Sequence, residues 1–266
     1  MAAREIAIAL LVGVAAGLAG GLFGVGGGIV LVPLLTGVFH LSQHQAHGTS
    51  LAAIGATAIA ALVVYGSHGN VAWGLAVLVG VASMLTARYG ARLAARTSTR
   101  NLRRAFAIFL ALVAVRLLWK APAATGSPFH TLAPALLFDL LLGAAVGLLA
   151  GFMGVGGGIL AVPAFALVLG MSQQAAQGTS LAVILLTAPA GALEHHRHGN
   201  VALRLVPWLA VGAAAGGPAA SWLAQSLPQV ALARAFAVFL LANVVRLWLR
   251  PGSGGKPQRG PEAPTG

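Results

Sequence analysis

Long apolar stretches alternate with short polar segments along most of the chain. One apolar stretch covers residues 5–22, a glycine-rich break follows, and a second apolar piece covers residues 29–40. Further apolar runs lie near residues 46–65, 71–88 and 102–118. Runs of this kind are long enough, as helices, to cross a hydrocarbon core of about 30 Å. The piece at 29–40 would be about 18 Å long, so we expect a half-helix there.

The series of apolar runs occurs twice, because the chain superimposes on itself with an offset of 130 residues and no gap. Three segments recur unchanged in the second half: Gly24–Ile29 as Gly154–Ile159, Gly48–Ala52 as Gly178–Ala182, and His68–Ala72 as His198–Ala202. Such self-similarity indicates two copies of one structural unit. We therefore expect a first membrane repeat over residues 1–121, a linker over 122–134, a second repeat over 135–250 and a disordered cytoplasmic tail over 251–266.

The distribution of basic residues predicts how the two repeats are oriented. If the broken segment enters and leaves on one face, each repeat crosses the membrane an odd number of times and the second repeat is upside down. Thirteen Lys and Arg then lie inside and three outside, whereas parallel repeats leave seven inside and nine outside. The positive-inside rule favours the first arrangement, with both termini cytoplasmic. The predicted fold is all-α: a polytopic helical membrane protein of two inverted-topology repeats, each with a re-entrant segment and three further spans.

Composition agrees with a membrane protein and excludes several function classes. Charged residues make up 8% of the chain and hydrophobic residues 58%, far from the balance of a soluble domain. The net charge of +12 lies mainly between apolar runs, as expected of anchors at anionic lipid and not of a nucleic-acid-binding surface. The absence of cysteine excludes thiolate catalysis and cysteine zinc sites.

The duplicated glycine run is the first candidate for chemistry. A helix rich in glycine is costly, by about 1 kcal/mol for each glycine relative to alanine. Main chain freed from helical bonding inside a membrane must be buried or line a cavity. Because a short helix follows, its unpaired N–H groups could bind an anion. The alternative is that the glycines permit close helix packing. The candidate residues are Gly24, Gly26, Gly27 and Gly28, with Gly154, Gly156, Gly157 and Gly158.

A second candidate is a polar cluster at the start of one span in each repeat. Hydroxyl and amide groups can donate to an oxyanion at a lower desolvation cost than a buried charge. The alternative is helix capping and interhelical hydrogen bonding. The residues are His47, Thr49 and Ser50 in the first repeat, and Gln177, Thr179 and Ser180 in the second.

Three other features suggest weaker hypotheses. His40, His44 and His47 have a spacing that could bind a divalent metal, but no carboxylate is near and the second repeat lacks these histidines. Asp139 lies within an apolar run and is a candidate for proton relay. Ser50 or Ser180 could serve an intramembrane hydrolase, but no hydrolase motif is present. We expect no catalytic residue, no resident metal and no cofactor.

The order of these motifs resembles the TauE/SafE sulfite exporter family, also called the toluene sulfonate uptake permeases. The resemblance rests on the duplicated G-x-G-G-G-x(4)-P and Q-x(4)-G-T-S segments and covers residues 5–250. It adds Gln43 and Gln173 to the candidate substrate-binding residues, since they match the family's motif positions. It implies an inner-membrane permease for sulfur-containing anions such as sulfite or organosulfonates, driven by an ion gradient.

We therefore expect a secondary transporter in which one half rocks against the other around a small anionic substrate. H⁺ and Na⁺ are both candidates for the coupling ion, and a homo-oligomer is an open alternative. The partners otherwise are the lipid bilayer and no nucleic acid. The competing hypotheses are a divalent metal-ion permease and a passive anion channel.

Overall fold

The computed structural model describes residues 2–95, 99–119, 133–153 and 157–249, and every regular element within these ranges is helical. The segment Ala164–Val168 continues α7 as a π-helix. The predicted all-α class is confirmed for this part of the chain. The ten helices described are α1 (Ala3–Phe23), α2 (Gly28–Val38), α3 (Gln43–Ser67), α4 (Trp73–Ala95), α5 (Thr99–Trp119), α6 (Ala133–Met153), α7 (Gly158–Pro163), α8 (Gln173–Arg197), α9 (Val206–Ser226) and α10 (Gln229–Leu249).

Several of these helices suit a lipid environment. Among the described residues, four helices are long and apolar enough to cross a membrane: α1, α3, α8 and the part of α10 from Gln229 to Arg246. Large apolar side chains on the outside are strongly exposed, as at Val63 (70%), Leu112 (67%) and Trp119 (88%). Exposure of such side chains is unfavourable in water but not against acyl chains. The chain is therefore a helical membrane protein.

Helix boundaries follow the predicted segments closely, with one informative difference. The break falls between Phe23 and Gly28, and α2 has 11 residues, about 16 Å of helix. α4 was expected to end near residue 88 and continues to Ala95. Arginine and alanine are good helix formers, so a helix does not stop where its charges begin. Hydropathy therefore marked the end of the apolar segment and not the end of the helix.

The 130-residue offset reappears in the helix boundaries. α6, α8 and α10 begin and end 130 residues after α1, α3 and α5. The copies differ after the glycine turns, where α2 is regular and α7 becomes a π-helix beyond Pro163. The expected linker, residues 122–134, lies outside the described residues apart from Ala133 and Pro134, which begin α6. The expected tail, residues 251–266, also lies outside them.

Two seams of small residues join helices from different repeats. A Cβ added at Gly17 of α1 would overlap the Ala213 carbonyl oxygen of α9 and lie 2.8 Å from the Ala213 Cα. Gly21 meets Gly217 four residues later, so α1 and α9 run parallel. α6 meets α4 in the equivalent way, since a Cβ at Gly143 would lie 2.8 Å from the Val79 Cα. Backbone contact of this kind gives dense packing where the hydrophobic effect is absent.

α3 and α8 pack together in opposite directions. Ala202, in the loop after α8, donates its N–H to Thr49 Oγ1 near the start of α3 at 2.9 Å. Ala72, in the loop after α3, donates its N–H to Thr179 Oγ1 near the start of α8 at 3.0 Å. The start of each helix therefore lies beside the end of the other. The two bonds are equivalent under the 130-residue offset.

Candidate functional site

The first glycine turn, residues 24–27, is buried and interrupts the chain as the glycine run predicted. Gly24, Gly26 and Gly27 have φ angles of 69°, 70° and 83°, which glycine adopts without steric cost. Gly24 closes α1 by donating its N–H to the Gly20 carbonyl oxygen at 2.9 Å. The N–H groups of Gly26, Gly27 and Gly28 have no hydrogen-bond acceptor among the described residues. The turn thus presents unpaired donors at the start of α2.

The same turn is also tightly packed. A Cβ added at Gly27 would overlap the Ala16 carbonyl oxygen and lie 2.8 Å from the Ala16 carbonyl carbon. A Cβ added at Gly24 would lie 2.7 Å from the Gln177 carbonyl oxygen on α8. Both interpretations of the glycines therefore have support, because close packing and unpaired N–H groups occur at one turn.

The second glycine turn approaches the first. Gly154 and Gly156 lie outside the described residues, while Gly157 has a φ of −61° and Gly158 begins α7. A Cβ added at Gly158 would lie 2.9 Å from the Val25 Cα. The start of α7 therefore touches the first glycine turn in the interior of the protein.

The predicted hydroxyl residues are all buried, and three of the four are hydrogen-bonded within the protein. Thr49 and Thr179 accept the two loop N–H groups described above. Ser180 Oγ donates to the Gly158 carbonyl oxygen at 3.3 Å. Ser50 is 3% exposed. These bonds support the interhelical interpretation of the cluster, and contact with an anion stays a prediction.

The two polar clusters lie at opposite ends of the α3–α8 pair. Gly48 packs beside His195, and Gly178 packs beside Tyr65. The stretch of α3 from 48 to 65 spans about 25 Å at 1.5 Å per residue. The structure therefore does not bring His47, Thr49 and Ser50 together with Gln177, Thr179 and Ser180. We call the cluster at the start of α3, with His47, Thr49 and Ser50, the α3 end. The cluster at the start of α8, with Gln177, Thr179 and Ser180, is the α8 end.

The glutamines at the two ends differ in burial. At the α3 end, Gln43 is exposed and its Nε2 lies 3.0 Å from His47 Nε2. At the α8 end, Gln173 and Gln177 are both 0% exposed. Ser172 caps α8 there by accepting the N–H of Ala175 at 3.1 Å. The α8 end is thus closed to solvent, while the α3 end is partly open.

Tyr65 joins the α8 end to the last turn of α1, just before the first glycine turn, and sequence reasoning missed it. Its hydroxyl lies 2.9 Å from Gln177 Oε1 and 3.0 Å from the Gly21 carbonyl oxygen. The side chain is fully buried. The repeat gave no signal for it, since residues 61–67 all differ from their counterparts at 191–197 and His195 stands in place of Tyr65.

The remaining candidates do not form a metal site. Among the described residues, no three His, Asp or Glu side chains are arranged to hold a metal ion. His40 is exposed before α3, with a φ of 51°. Asp139 is 3% exposed on α6. The spacing of His40, His44 and His47 therefore does not gather them around one point.

Comparison with known proteins identifies the family. A family model described as "Sulfite exporter TauE/SafE" matches residues 2–117 and 139–266. The chain belongs to the TauE/SafE sulfite exporter family. This confirms the resemblance drawn from the duplicated glycine and Q-x(4)-G-T-S segments, and the family consists of membrane transporters and not of enzymes.

Curated relatives of this TauE/SafE protein carry transporter names. A "Probable membrane transporter protein" of Xylella fastidiosa is 30% identical over 239 residues, covering 88% of this chain and 90% of the relative. "Probable membrane transporter protein YunE" of Bacillus subtilis is 29% identical over 227 residues, covering 75% and 83%. "Probable membrane transporter protein MJ0441" of Methanocaldococcus jannaschii is 27% identical over 192 residues, covering 70% of each chain. No solved structure matches the chain.

Proposed function

We propose that this TauE/SafE protein is a secondary transporter, a permease, for sulfur-containing anions such as sulfite or organosulfonates. The observation that carries the proposal is the buried turn at Gly24–Gly28, where unpaired N–H groups lie beside α7 and α8. N–H groups at a helix start attract anions without a cationic side chain. No Lys or Arg side chain is buried among the described residues, so neutral donors would do this work.

The proposed ligands fall into two sets, because the two ends are about 25 Å apart. We propose that the substrate meets them in succession, with the glycine turns between them. The α8 set consists of Gln173, Gln177, Thr179 and Ser180. The α3 set consists of Gln43, His47, Thr49 and Ser50. The glycine turns between the two sets contribute Gly24, Gly26, Gly27 and Gly28, together with Gly154, Gly156, Gly157 and Gly158.

We further propose that the repeats have inverted topology in the membrane, with both termini in the cytoplasm. Antiparallel packing of α3 and α8, which are equivalent helices, supports this orientation. The starts of α1 and α9 also lie at one end of the molecule, where Arg204 Nη2 is 3.8 Å from Glu5 Oε1. In the proposed topology, that end would carry 13 of the 16 Lys and Arg residues, as a cytoplasmic face does.

Alternating access would then involve bundles that differ from the sequence halves. The glycine seams attach α1 to α9 and α4 to α6, so each tightly packed pair contains one helix from each repeat. Contacts between α3 and α8 and between α5 and α10 join equivalent helices across the pseudo-twofold axis. We propose that the helices slide or rotate against each other at the α3–α8 and α5–α10 contacts. The two sequence halves, residues 1–121 and 135–250, would then not move as whole units.

The direct test is a flux panel in proteoliposomes containing the purified full chain. Sulfite, thiosulfate, sulfate, methanesulfonate and a divalent metal ion would be compared with and without a pH gradient. We expect saturable flux of sulfite and methanesulfonate with counterflow, which a passive channel would not give. Metal flux without anion flux would refute the proposal.

A pair of glycine variants tests the role of the first turn. Gly27→Ala introduces the clash with Ala16, so loss of flux there could reflect misfolding. Gly26→Ala places its Cβ 3.2 Å from the flexible end of Ile184, a milder contact at a strained φ. We expect Gly26→Ala to insert and fold while the substrate KM rises at least about tenfold, equivalent to about 1.4 kcal/mol of binding. An unchanged KM would leave the turn with a packing role only.

A further inference from the structure

Gln173 and Gln177 place unpartnered amide atoms in the buried interior of the α8 end. They are four residues apart on the first turns of one helix and therefore lie on the same face. Both side chains are 0% exposed. Gln173 Nε2, Gln173 Oε1 and Gln177 Nε2 have no hydrogen-bond partner among the described residues. Two amides at one helix N-terminus thus share a region with unused hydrogen-bonding capacity.

Three buried amide atoms without hydrogen-bond partners are unfavourable for the stability of a protein that has no ligand at this place. A buried polar atom without a partner costs about 1–3 kcal/mol, and most such atoms in folded proteins are paired. The equivalent residues at the α3 end, Gln43 and His47, contact each other and lie closer to solvent. Of these two equivalent pairs of positions, only the pair at the α8 end leaves buried amide atoms without a partner among the described residues, as expected of a site that pairs with a solute.

The Tyr65 hydroxyl makes this site able both to donate and to accept. Tyr65 has one proton, so it cannot donate to the Gly21 carbonyl oxygen and to Gln177 Oε1 together. With its amide turned over, Gln177 donates N–H to the Tyr65 oxygen, Tyr65 donates to Gly21, and Gln177 Oε1 becomes the free atom. Amide orientation follows the hydrogen-bond network, so both arrangements are accessible.

The charge of the surroundings limits which anion fits. No described Lys or Arg side chain is buried, so the α8 end offers only neutral groups and the positive end of the α8 dipole. The cost of burying an ion grows with the square of its charge, so a dianion costs about four times as much as a monoanion. A singly protonated oxyanion keeps one negative charge, and its O–H can donate a hydrogen bond to a free amide oxygen.

We infer that the α8 end selects the singly charged form of an oxyanion, with Gln173 and Gln177 as its neutral hydrogen-bonding partners. For sulfite, the species bound is hydrogen sulfite and not the dianion, and sulfate is excluded although it has similar oxygens. The inference rests on the proposed transport function and specifies the charge state that the site accepts.

The experiment measures the KM of sulfite and methanesulfonate in proteoliposomes of the full chain at several equal internal and external pH values. Above the second ionisation of sulfite, its apparent KM should rise about tenfold per pH unit, because the dianion is not bound. Methanesulfonate is a monoanion throughout, so its KM should change much less. It controls for titration of the protein itself. Sulfate should not compete with either substrate.

Titratable groups near α8 make that control necessary. Tyr65 is the one hydrogen-bonded to Gln177. The helices packed against α8 are α3, α4, α7 and α10. Among side chains described there, the titratable or charged ones are His44, His47 and Tyr65 on α3, Tyr89 on α4, and Arg234 and Arg246 on α10.

Variants at neighbouring glutamines separate binding from folding. Gln173→Met keeps the volume and removes the unpaired amide, so the protein should be at least as stable while the sulfite KM rises at least about tenfold. Gln174→Met is the control, because Gln174 Nε2 donates to the Leu227 carbonyl oxygen. Gln174 also lies outside the face of α8 that carries Gln173 and Gln177. It should leave the KM unchanged.

The outcomes distinguish this inference from the transport proposal. Wild-type protein that carries no sulfur anion would refute both. Flux with a sulfite KM that changes with pH no more than that of methanesulfonate would refute only the charge selection, as would competition by sulfate. A folded Gln173→Met protein with unchanged KM would show that the amide is not a ligand.

Discussion

The glycine seam between α1 and α9 gives a sharp stability prediction, tested by Gly17→Ala. The added Cβ would lie 2.8 Å from the Ala213 Cα, where ordinary contact begins at 3.4 Å. The shortfall is about 0.6 Å, and the Ala213 carbonyl oxygen is closer still. The obstacle is backbone, which no change of rotamer can move. Gly13 and Gly21 contact α9 one turn to either side, so α1 cannot move away at a single point.

We expect Gly17→Ala to lower the free energy of unfolding by about 1–3 kcal/mol, the usual cost of overpacking. The matched control is Gly55→Ala on α3, where an added Cβ meets nothing within 4 Å. Alanine should be neutral or stabilising there, because its helix propensity exceeds that of glycine by about 1 kcal/mol. Unfolding by SDS in mixed micelles measures both variants. Equal stability of the two would refute backbone contact between α1 and α9.

Three further predictions concern other contacts. Thr49→Val should cost about 1–3 kcal/mol in unfolding free energy because the Ala202 N–H loses its acceptor, whereas Thr49→Ser should retain most of the stability; equal losses would contradict the hydrogen bond. Tyr65→Phe should destabilise the protein by a similar amount, measured by the same SDS titration, since Gly21 and Gln177 lose a shared partner; no loss would contradict that role. Ser67 and Arg197 are the equivalent last residues of α3 and α8, and the chain has no cysteine of its own. Ser67→Cys and Arg197→Cys should therefore react with a membrane-impermeant thiol reagent from opposite faces of the membrane. Labelling of both variants from the same face would exclude inverted repeats.

Local structure was predictable where a single residue type dominates the energetics. The glycine run predicted the break after Phe23, because glycine disfavours a helix and permits the positive φ of Gly27. The 130-residue offset predicted that α8 would copy α3. The length of α4 was not predictable from hydropathy, since its last turns continue past the apolar stretch.

Contacts between helices were less accessible from the sequence. Nothing in the order of residues indicates that α1 packs along α9, because any stripe of small residues can serve several partners. The burial of Gln173 was equally hidden, since its counterpart Gln43 is exposed. The family motif marked both glutamines but did not show that they differ. Tyr65 was missed because a lone tyrosine in an apolar helix resembles ordinary core packing.

The seam between α1 and α9 also bears on how the protein is made and how it arose. α1 leaves the ribosome before α9, and the backbone against which Gly17 packs is synthesised nearly 200 residues later. During synthesis, the glycine face of α1 that later contacts α9 is therefore exposed to lipid until α9 has been made. A single ancestral repeat could have covered that face only by associating with another copy of itself. Fusion of two copies into one chain supplies both partners in equal amounts.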